Sequence, residues 1–185
     1  MEKSSRPLVF RQVLPLVLAA LAHPLPAQQP PAGSGDVDVE VGVEVERTIH
    51  VPAGWEGAYE FGYAPAVRVG PWVIVSGIPA GGPGTYEEKV RRMYQRAKEL
   101  LEDAGATLDD VVELMTFHVE PRDSPAFQEE FQRYMPIHRE LFGEHRPAWT
   151  AIGGATLLAP TAVVEMRVVA VVGSGENSRV VRSGQ

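Results

Sequence analysis

The spacing of hydrophobic and polar positions changes several times along the chain. Residues 13–22 form a short, nearly continuous apolar run, and residues 36–46 (DVDVEVGVEVE) alternate valine with acids or glycine. Alternation with a period of two is typical of a strand with one apolar face. After these come segments with apolar residues at helical spacing, separated by runs rich in β-branched residues. The pattern predicts a distinct N-terminal region followed by a compact α+β domain.

Three short strands are predicted at the start of this domain, over residues 48–51, 66–69 and 72–76. Gly70 and Pro71 separate the second from the third and predict a hairpin turn. Residues 54–62 and the glycine-rich stretch 77–84 are predicted to be loops. The second of these lacks the GxxxxGK[ST] pattern, so it is not a phosphate-binding loop of that kind.

Two helices are predicted from their terminal signals. Thr85 and Glu88 have the spacing of a capping box, so the first helix is expected to begin at Thr85, and Gly105 is a natural stop. Ser124 followed by Pro125 predicts a second helix, with serine at the cap and proline at the first helical position. Pro136 lies inside the apolar stripe of the second helix and is expected to kink it.

Further strands are predicted at residues 111–119, 151–152 and 162–172, which gives the order β-β-β-α-β-α-β-β. Strands separated by helices in this way favour one mixed sheet with two helices packed on one face. The domain is expected to span residues 48–173, and residues 174–185 are predicted to form a flexible tail.

The first 27 residues have the organisation of a secretory signal peptide. Lys3, Arg6 and Arg11 form a basic head, the apolar run follows, and Ala27 offers a small residue for cleavage. The apolar run is about half the length of roughly 20 residues that a membrane-spanning helix needs. We therefore expect export to the periplasm or secretion, with no membrane attachment after cleavage. An uncleaved anchor or a disordered tail is the alternative.

Residues 28–47 join the signal peptide to the domain. Residues 28–35 (QQPPAGSG) are a Pro/Gly-rich linker, and the acidic, valine-rich arm at residues 36–46 follows. The arm is either an added strand or a disordered acidic segment, because five acids on one face repel each other. Calcium capture by these acids is a third interpretation, although nothing in the pattern predicts a cage around an ion.

Composition and charge narrow the chemistry. A hydrophobic content of 44% supplies a core, and the absence of cysteine excludes disulfides, thiolate metal sites and a cysteine nucleophile. Removal of residues 1–27 takes away three cations and one anion, so the formal charge of −7 becomes −9. Such a charge disfavours nucleic acid as a partner. The five histidines lack metal-ligand spacing, and His118 is expected to be a core histidine with satisfied nitrogens.

Several stretches together resemble the RidA (YjgF) family. They are YAPAVRVG and WVIVSGIP, EDAGATLDDVVELMTFHVE, HRPA at residues 145–148, and VVEMRVVAVV near the C-terminus. The resemblance covers roughly residues 48–173. It implies a chorismate-mutase-like α+β fold and a homotrimer whose binding sites lie in clefts between subunits.

The resemblance also implies an activity, the hydrolysis of reactive enamines and imines with release of ammonia and without a metal or cofactor. Tyr63, Ser76 and Glu165 match the family's cleft tyrosine, small hydroxyl residue and acid, and Gly77 is likewise in place. Glu165 would handle the attacking water. Alternatively, Glu165 forms a structural ion pair with Arg167, which lies two residues further along the same strand.

Other cleft positions depart from the family pattern. Trp149 stands where the resemblance places an arginine that clamps the substrate carboxylate, and an indole offers one N–H donor and no charge. Ala151 and Phe131 replace polar cleft residues, which predicts a more apolar cleft. Arg146 is a candidate for the missing cation. Trp149 could instead anchor the trimer interface.

These residues predict a small-molecule-binding protein that hydrolyses enamines or imines with altered specificity. Small anionic imino acids are expected to be poor substrates, because a carboxylate requires a charged clamp such as arginine. The alternative is a non-catalytic, periplasmic trimer that binds a small ligand.

Overall fold

The computed structural model describes residues 45–184. The predicted signal peptide, the linker and all but the last residues of the acidic arm lie outside the described residues, as does Gln185. None of the helices found between residues 45 and 184 is both long and apolar enough to cross a membrane.

Six strands form one mixed sheet. They are β1 (Arg47–His50), β2 (Ala66–Val69), β3 (Trp72–Pro79), β4 (Val111–His118), β5 (Ala148–Ile152) and β6 (Val164–Val171). Their order across the sheet is β1-β2-β3-β6-β4-β5. The pairing of β4 with β5 is parallel, and all the others are antiparallel. The last strand of the sequence is therefore one of the two central strands of the sheet.

Three α-helices accompany the sheet: α1 (Glu56–Phe61), α2 (Tyr86–Asp103) and α3 (Ser124–Phe142). The capping box of Thr85 and Glu88 is present at the start of α2, as predicted. The cap of α3 is different from the prediction, because Asp123 and not Ser124 accepts the hydrogen bond of the Ala126 amide. The carboxylate one position earlier can reach that amide from extended backbone. The helix continues through Pro136 to Phe142.

The prediction of a loop over residues 54–62 is wrong, because α1 lies inside this stretch. Trp55 precedes the helix and is buried against the core, with the guanidinium of Arg96 lying 4.9 Å from the centre of its ring. Gly62 ends the helix at a φ of 119°, a conformation that glycine adopts without strain. Packing of Trp55 stabilises α1, whereas Gly54 and Gly62 on either side of the helix favour a loop in the sequence pattern.

The two faces of the sheet have different surroundings. One, the helix-covered face, carries the alternate side chains Val164, Met166 and Val168 of β6, all buried in the core with those of α2 and α3. The other, the open face, carries the intervening side chains, and its exposed apolar residues are Ile49, Trp72, Ile74 and Ile152, each 39–49% exposed. The predicted mixed sheet with its two long helices on one face is confirmed.

Candidate functional site

Glu165 lies at the centre of the sheet, on the open face of β6. Its backbone is paired with Pro79 of β3 on one side and with Phe117 of β4 on the other. The register of β3 against β6 shifts between Val75 and Ile78, and Gly77 lies within this irregularity. A Cβ atom at Gly77 would stand 2.5 Å from Oε1 of Glu165. The glycine therefore leaves the space that the carboxylate occupies.

The carboxylate of Glu165 makes no hydrogen bond or ion pair with any side chain of residues 45–184. The alternative prediction of an ion pair with Arg167 is not realised, because Arg167 Nη1 lies 3.3 Å from Glu113 Oε1 instead. Glu165 is half-buried, and its burial raises the pKa of the carboxyl group above the ordinary value. A half-buried, unpaired carboxylate can accept a proton from a water molecule or return one to a substrate.

Ser76, which precedes Gly77, and Tyr63 make no hydrogen bond with this carboxylate. The Ser76 hydroxyl donates to the Ala64 carbonyl at 2.7 Å, and its amide donates to the Pro65 carbonyl at 3.0 Å. Ser76 thus fixes the segment that leads into β2. Tyr63 follows α1 and is 41% exposed, with its ring edge-to-face with Phe61. Its hydroxyl has no hydrogen-bond partner within residues 45–184.

Trp149 and Phe131 come together, but on the helix-covered face of the sheet. Their rings stack with centroids 5.3 Å apart, and Trp149 also stacks on His138 at 4.6 Å. The indole N–H of Trp149 donates to the Thr116 hydroxyl at 3.0 Å. Ala151 is paired with Thr116 across β4 and β5 and so faces the same way. Within one protomer, this aromatic group and Glu165 are on opposite faces of the sheet.

Arg146 belongs to neither group. Its guanidinium donates to the carbonyls of Gly143 and His145, at 2.6 and 2.8 Å, just beyond the end of α3. Cations near the last carbonyls of a helix are stabilising, so the side chain has a structural role there.

A buried polar network around His118 was not predicted from the sequence. His118 Nδ1 lies 2.7 Å from Glu130 Oε1, and Nε2 lies 3.0 Å from the Thr116 hydroxyl. The Tyr86 hydroxyl donates to the same Oε1 of Glu130 at 2.7 Å. His118 is fully buried with both ring nitrogens bonded, which confirms the prediction of a satisfied core histidine. Nothing in the local sequence connects Glu130 to His118, because α3 brings the carboxylate back over β4 only in the folded chain.

Histidine and carboxylate side chains do not converge into a metal site in the part of the chain that the structure describes. No group of three or more such side chains there has the geometry to hold an ion.

Comparison with known proteins gives matches over most of the described residues. Residues 58–172 match the family model described as Endoribonuclease L-PSP. The chain is 33% identical over 116 residues to the RutC family protein YjgH of Escherichia coli, covering 59% of this chain and 84% of that protein. It is 30% identical over 115 residues to a RutC family protein of Pyrococcus abyssi, covering 58% and 84%.

Solved structures also superpose on this chain. Rv2704 of Mycobacterium tuberculosis, described as a member of the YjgF/YER057c/UK114 family, superposes with a TM-score of 0.59 at 31% identity, over 69% of this chain and all of that one. A putative endoribonuclease of Thermotoga maritima superposes with a TM-score of 0.52 at 32% identity, over 59% of this chain and 85% of that one.

Proposed function

Because the chain belongs to the RidA (YjgF) family, whose family model is named Endoribonuclease L-PSP, we propose that it binds a small molecule and hydrolyses enamines or imines to a carbonyl compound and ammonia. Glu165 carries this proposal. Its carboxylate is half-buried, unpaired by any side chain of residues 45–184, and given its space by Gly77. An ion pair would have explained the buried charge structurally, and Arg167 makes that pair with Glu113 instead.

The reaction needs one group that moves protons in both directions. The imine nitrogen first takes a proton from the solvent. Water then adds to the carbon of the C=N bond while Glu165 accepts one of its protons and the nitrogen takes up the π electron pair, so the product is a neutral carbinolamine. Glu165 returns the proton to the nitrogen, the C–N bond breaks and ammonia leaves, and the hydroxyl proton passes to Glu165 as the carbonyl forms. Glu165 finally releases this proton to the solvent. A carboxyl group whose pKa is raised by burial is better suited to hold and release that proton near neutral pH.

We further propose that the site is completed by a homotrimer. The open face carries Glu165 together with the exposed apolar side chains Ile49, Trp72 and Ile74. Contiguous apolar surface of this kind favours burial against another subunit. Association through this face would place Glu165 in a cleft beside a neighbouring subunit. The state of association in solution, measured by sedimentation, tests this part of the proposal.

The substrate is proposed to be neutral or aromatic. On the open face Arg167 is the guanidinium close to Glu165 in sequence, and it is held by Glu113. Arg146 is bound to backbone carbonyls, and Trp149 carries no charge. Neither of these two guanidinium groups is therefore free to bind the carboxylate of a small anionic imino acid in a bidentate manner. RNA is not proposed as a substrate, because the formal net charge of the chain is −7.

Two coupled assays test the activity. An amine oxidase acting on benzylamine supplies a neutral aryl imine, and an amino-acid oxidase acting on alanine supplies iminopropanoate. We expect the protein to accelerate ammonia release from the first far more than from the second. Glu165→Gln should lower this rate about 100-fold or more, since general acid–base catalysis contributes that much. Glu99→Gln, on the exposed side of α2, is the control and should keep the rate.

A non-catalytic, periplasmic trimer that binds a small ligand is the second candidate function. It is favoured by the stacked, uncharged rings of Trp149 and Phe131, which are partly exposed and offer a ligand contacts but no catalytic group. In that case neither imine is hydrolysed faster than in buffer, and Glu165→Gln changes ligand affinity only modestly. Rapid hydrolysis of iminopropanoate would contradict the proposed specificity without contradicting the proposed activity.

Export of the protein is part of both candidate functions. We propose that residues 1–27 direct it out of the cytoplasm and are then removed. N-terminal sequencing of protein from the periplasm or the culture medium should begin at Gln28. Recovery of the full-length chain from the cytoplasm would contradict this proposal.

A further inference from the structure

β5 lies at one edge of the sheet and is paired on one side only. β4 pairs with it, and among residues 45–184 no strand pairs with its other, outer edge. The sequence of β5, AWTAI, contains no charged residue and no proline. Proteins usually protect the free edge of a sheet with such residues, because an unprotected edge offers its N–H and C=O groups to any extended chain. The composition of β5 is therefore typical of a strand that is covered on both sides.

β1 lies at the opposite edge of the sheet, and its free side is protected. It begins with Arg47 and ends with His50, whose Nδ1 lies 2.9 Å from Oδ2 of Asp103, and Pro52 follows two residues later. The hollow beside it has no apolar side chain among its lining residues. Of the two free edges in the described part of the chain, β5 is therefore the one suited to accept a further strand.

An apolar groove of about 660 Å³ lies along one side of α3. Its apolar lining residues are Phe127, Phe131, Met135 and Pro136. The groove includes one cation, Arg139, and no carboxylate among its lining residues. These residues recur at helical spacing, so they share one side of the helix.

This side of α3 faces the free edge of β5 and not α2. Arg133 bonds to a carboxylate of α2, and at about 100° per residue it lies on the opposite side of the helix. Phe131 stacks on Trp149 of β5, with centroids 5.3 Å apart. A Cβ atom at Gly153, the residue after β5, would stand 3.3 Å from Phe127. The groove is thus open to a strand placed beside β5.

The acidic, valine-rich arm at residues 36–46 has the pattern that this place requires. Its residues 36–44 lie outside the described residues, and its sequence places valines on one side of an extended chain and acids or glycine on the other. Three alternate valines span about 13 Å of strand, and Phe127 to Pro136 spans about 13 Å of helix. The valines therefore fit the apolar groove in chemistry and in length, and Arg139 adds a charge opposite to that of the arm.

The arm cannot reach this edge within its own chain. The arm precedes β1, and β1 is separated from β5 by five strand spacings, or about 24 Å. If residues 36–41 lay along β5, the six steps from residue 41 to Arg47 would span at most about 22 Å, even in a straight line. A path around the intervening strands is longer still. The arm of a neighbouring copy is free of this limit.

We propose that the arm of one copy of this chain adds a further strand to the sheet of a neighbouring copy, along the outer edge of β5, with Val37, Val39 and Val41 in the groove. Main-chain hydrogen bonds to β5 provide the affinity, and the packing of alternate valines selects the side. Each copy gives one arm and receives one, as in a closed ring of subunits. The proposal presupposes association of copies, as in the proposed homotrimer, and it does not depend on imine hydrolysis.

Hydrogen exchange of the β5 amides in the full chain tests the proposal. With the arm in place, amides at both edges of Ala148–Ile152 should exchange slowly. Val37→Ser, Val39→Ser and Val41→Ser together remove the apolar side of the arm without touching the domain, so amides at the outer edge should exchange at least about 10-fold faster. The matched control changes the other side of the arm and should alter exchange by less than about 3-fold; it combines Asp36→Ser, Asp38→Ser and Glu40→Ser.

Met135→Glu tests the groove from the side of the acceptor. Met135 is half-buried, and a carboxylate there would face the valines and repel the acids of the arm. It should speed exchange at the outer edge of β5 at least about 10-fold, as the valine substitutions do. Met135→Leu keeps an apolar side chain of similar volume and should retain slow exchange.

Cross-linking shows which chain the arm belongs to. The chain contains no cysteine, so Val39→Cys combined with Gln132→Cys, at a lining residue of the groove, introduces the only two thiols. A short bismaleimide should join different chains, which denaturing electrophoresis separates from single chains by mass. Val39→Cys with Glu99→Cys, on the exposed side of α2, is the control and should give little joined product.

Three results would overturn the proposal: equal exchange of the β5 amides in the native chain and the valine variant, equal effects of the valine and the acid substitutions, or cross-links confined to single chains. A trimer whose outer β5 amides exchange rapidly would overturn this proposal alone. Glu165→Gln should leave the exchange of these amides unchanged, so failure of this proposal and failure of imine hydrolysis are distinguishable.

Discussion

The two faces of the sheet differ in whether their buried polar side chains are bonded to neighbouring side chains. On the helix-covered face, His118 and Thr116 are fully buried and each is bonded to neighbouring side chains. On the open face, Glu165 is half-buried and no side chain of residues 45–184 bonds to its carboxylate, although Arg167 lies two residues away. Satisfied polar groups stabilise a fold, whereas an unsatisfied carboxylate in partial burial is a reactive one.

We expect this difference to separate the residues that stabilise the fold from those that take part in the proposed hydrolysis, although both groups belong to the same sheet. Substitutions on the helix-covered face should change the free energy of unfolding, and those beside Glu165 should change turnover with little effect on unfolding. Each of the following predictions tests whether that separation holds.

Trp149→Ala is expected to have the largest effect. It removes the ring that stacks on Phe131 and His138 and leaves the Thr116 hydroxyl without its indole donor, so unfolding should become easier by roughly 3–5 kcal/mol. Urea denaturation measures this change. Trp149→Phe, which keeps a stacked ring, should lose about 1 kcal/mol. Equal losses in the two variants would show that the stack contributes little.

Acidification should destabilise the helix-covered face through His138. Burial, with the nearby charges of Arg146 and Arg139, lowers the pKa of His138 from 6.5 to about 4. The unfolded chain therefore binds more protons than the folded one between these values. The stability that neutral His138 contributes is complete above about pH 6.5 and is lost as the pH falls towards 4, by on the order of 2 kcal/mol.

Denaturation midpoints measured across this range of pH test the assignment. His138→Phe keeps an aromatic ring beside Phe142 and Trp149 but cannot bind a proton. It should flatten the dependence of stability on pH between 6.5 and 4. A dependence as steep as that of the native chain would assign the effect to other groups.

Gly77→Ala is expected to have the smallest effect on the free energy of unfolding, and it tests the position of the Glu165 carboxylate most directly. The added methyl would stand 2.5 Å from Glu165 Oε1, so the carboxylate must move. Imine hydrolysis should fall at least about 10-fold, equivalent to 1.4 kcal/mol in activation free energy, while the unfolding midpoint changes little. Gly81→Ala, in the loop after β3, is the control and should keep the native rate. Unchanged turnover in Gly77→Ala would mean that the position of Glu165 is not critical.

Much of the fold could be predicted because its signals are local. The capping box at Thr85 and Glu88 placed the start of α2, and Gly70 with Pro71 placed the hairpin between β2 and β3. The helix α1 was missed because its stability comes from the burial of Trp55 rather than from its own composition. The cap of α3 was misplaced by one residue, since Asp123 and Ser124 are both good caps.

The candidate site was only partly accessible from the sequence. Glu165 and Gly77 were selected by resemblance, and the structure places them in contact. The side of the sheet that Trp149 occupies could not be predicted, because it depends on the parallel register of β5 against β4. The hydrogen bond between Glu130 and His118 joins a helix residue to a residue of the preceding strand, and no local sequence pattern predicts such a contact.

The central position of β6 has a consequence for the order of events during synthesis. Among the described strands, β1–β3 and the pair β4–β5 share no ladder with each other, and the two groups are joined only through β6, which follows them all in the sequence. Until β6 has emerged from the ribosome, the two groups of strands cannot be joined into one sheet. Long-range pairing of this kind also folds slowly. We therefore expect the domain to reach its native state only after β6 has been synthesised.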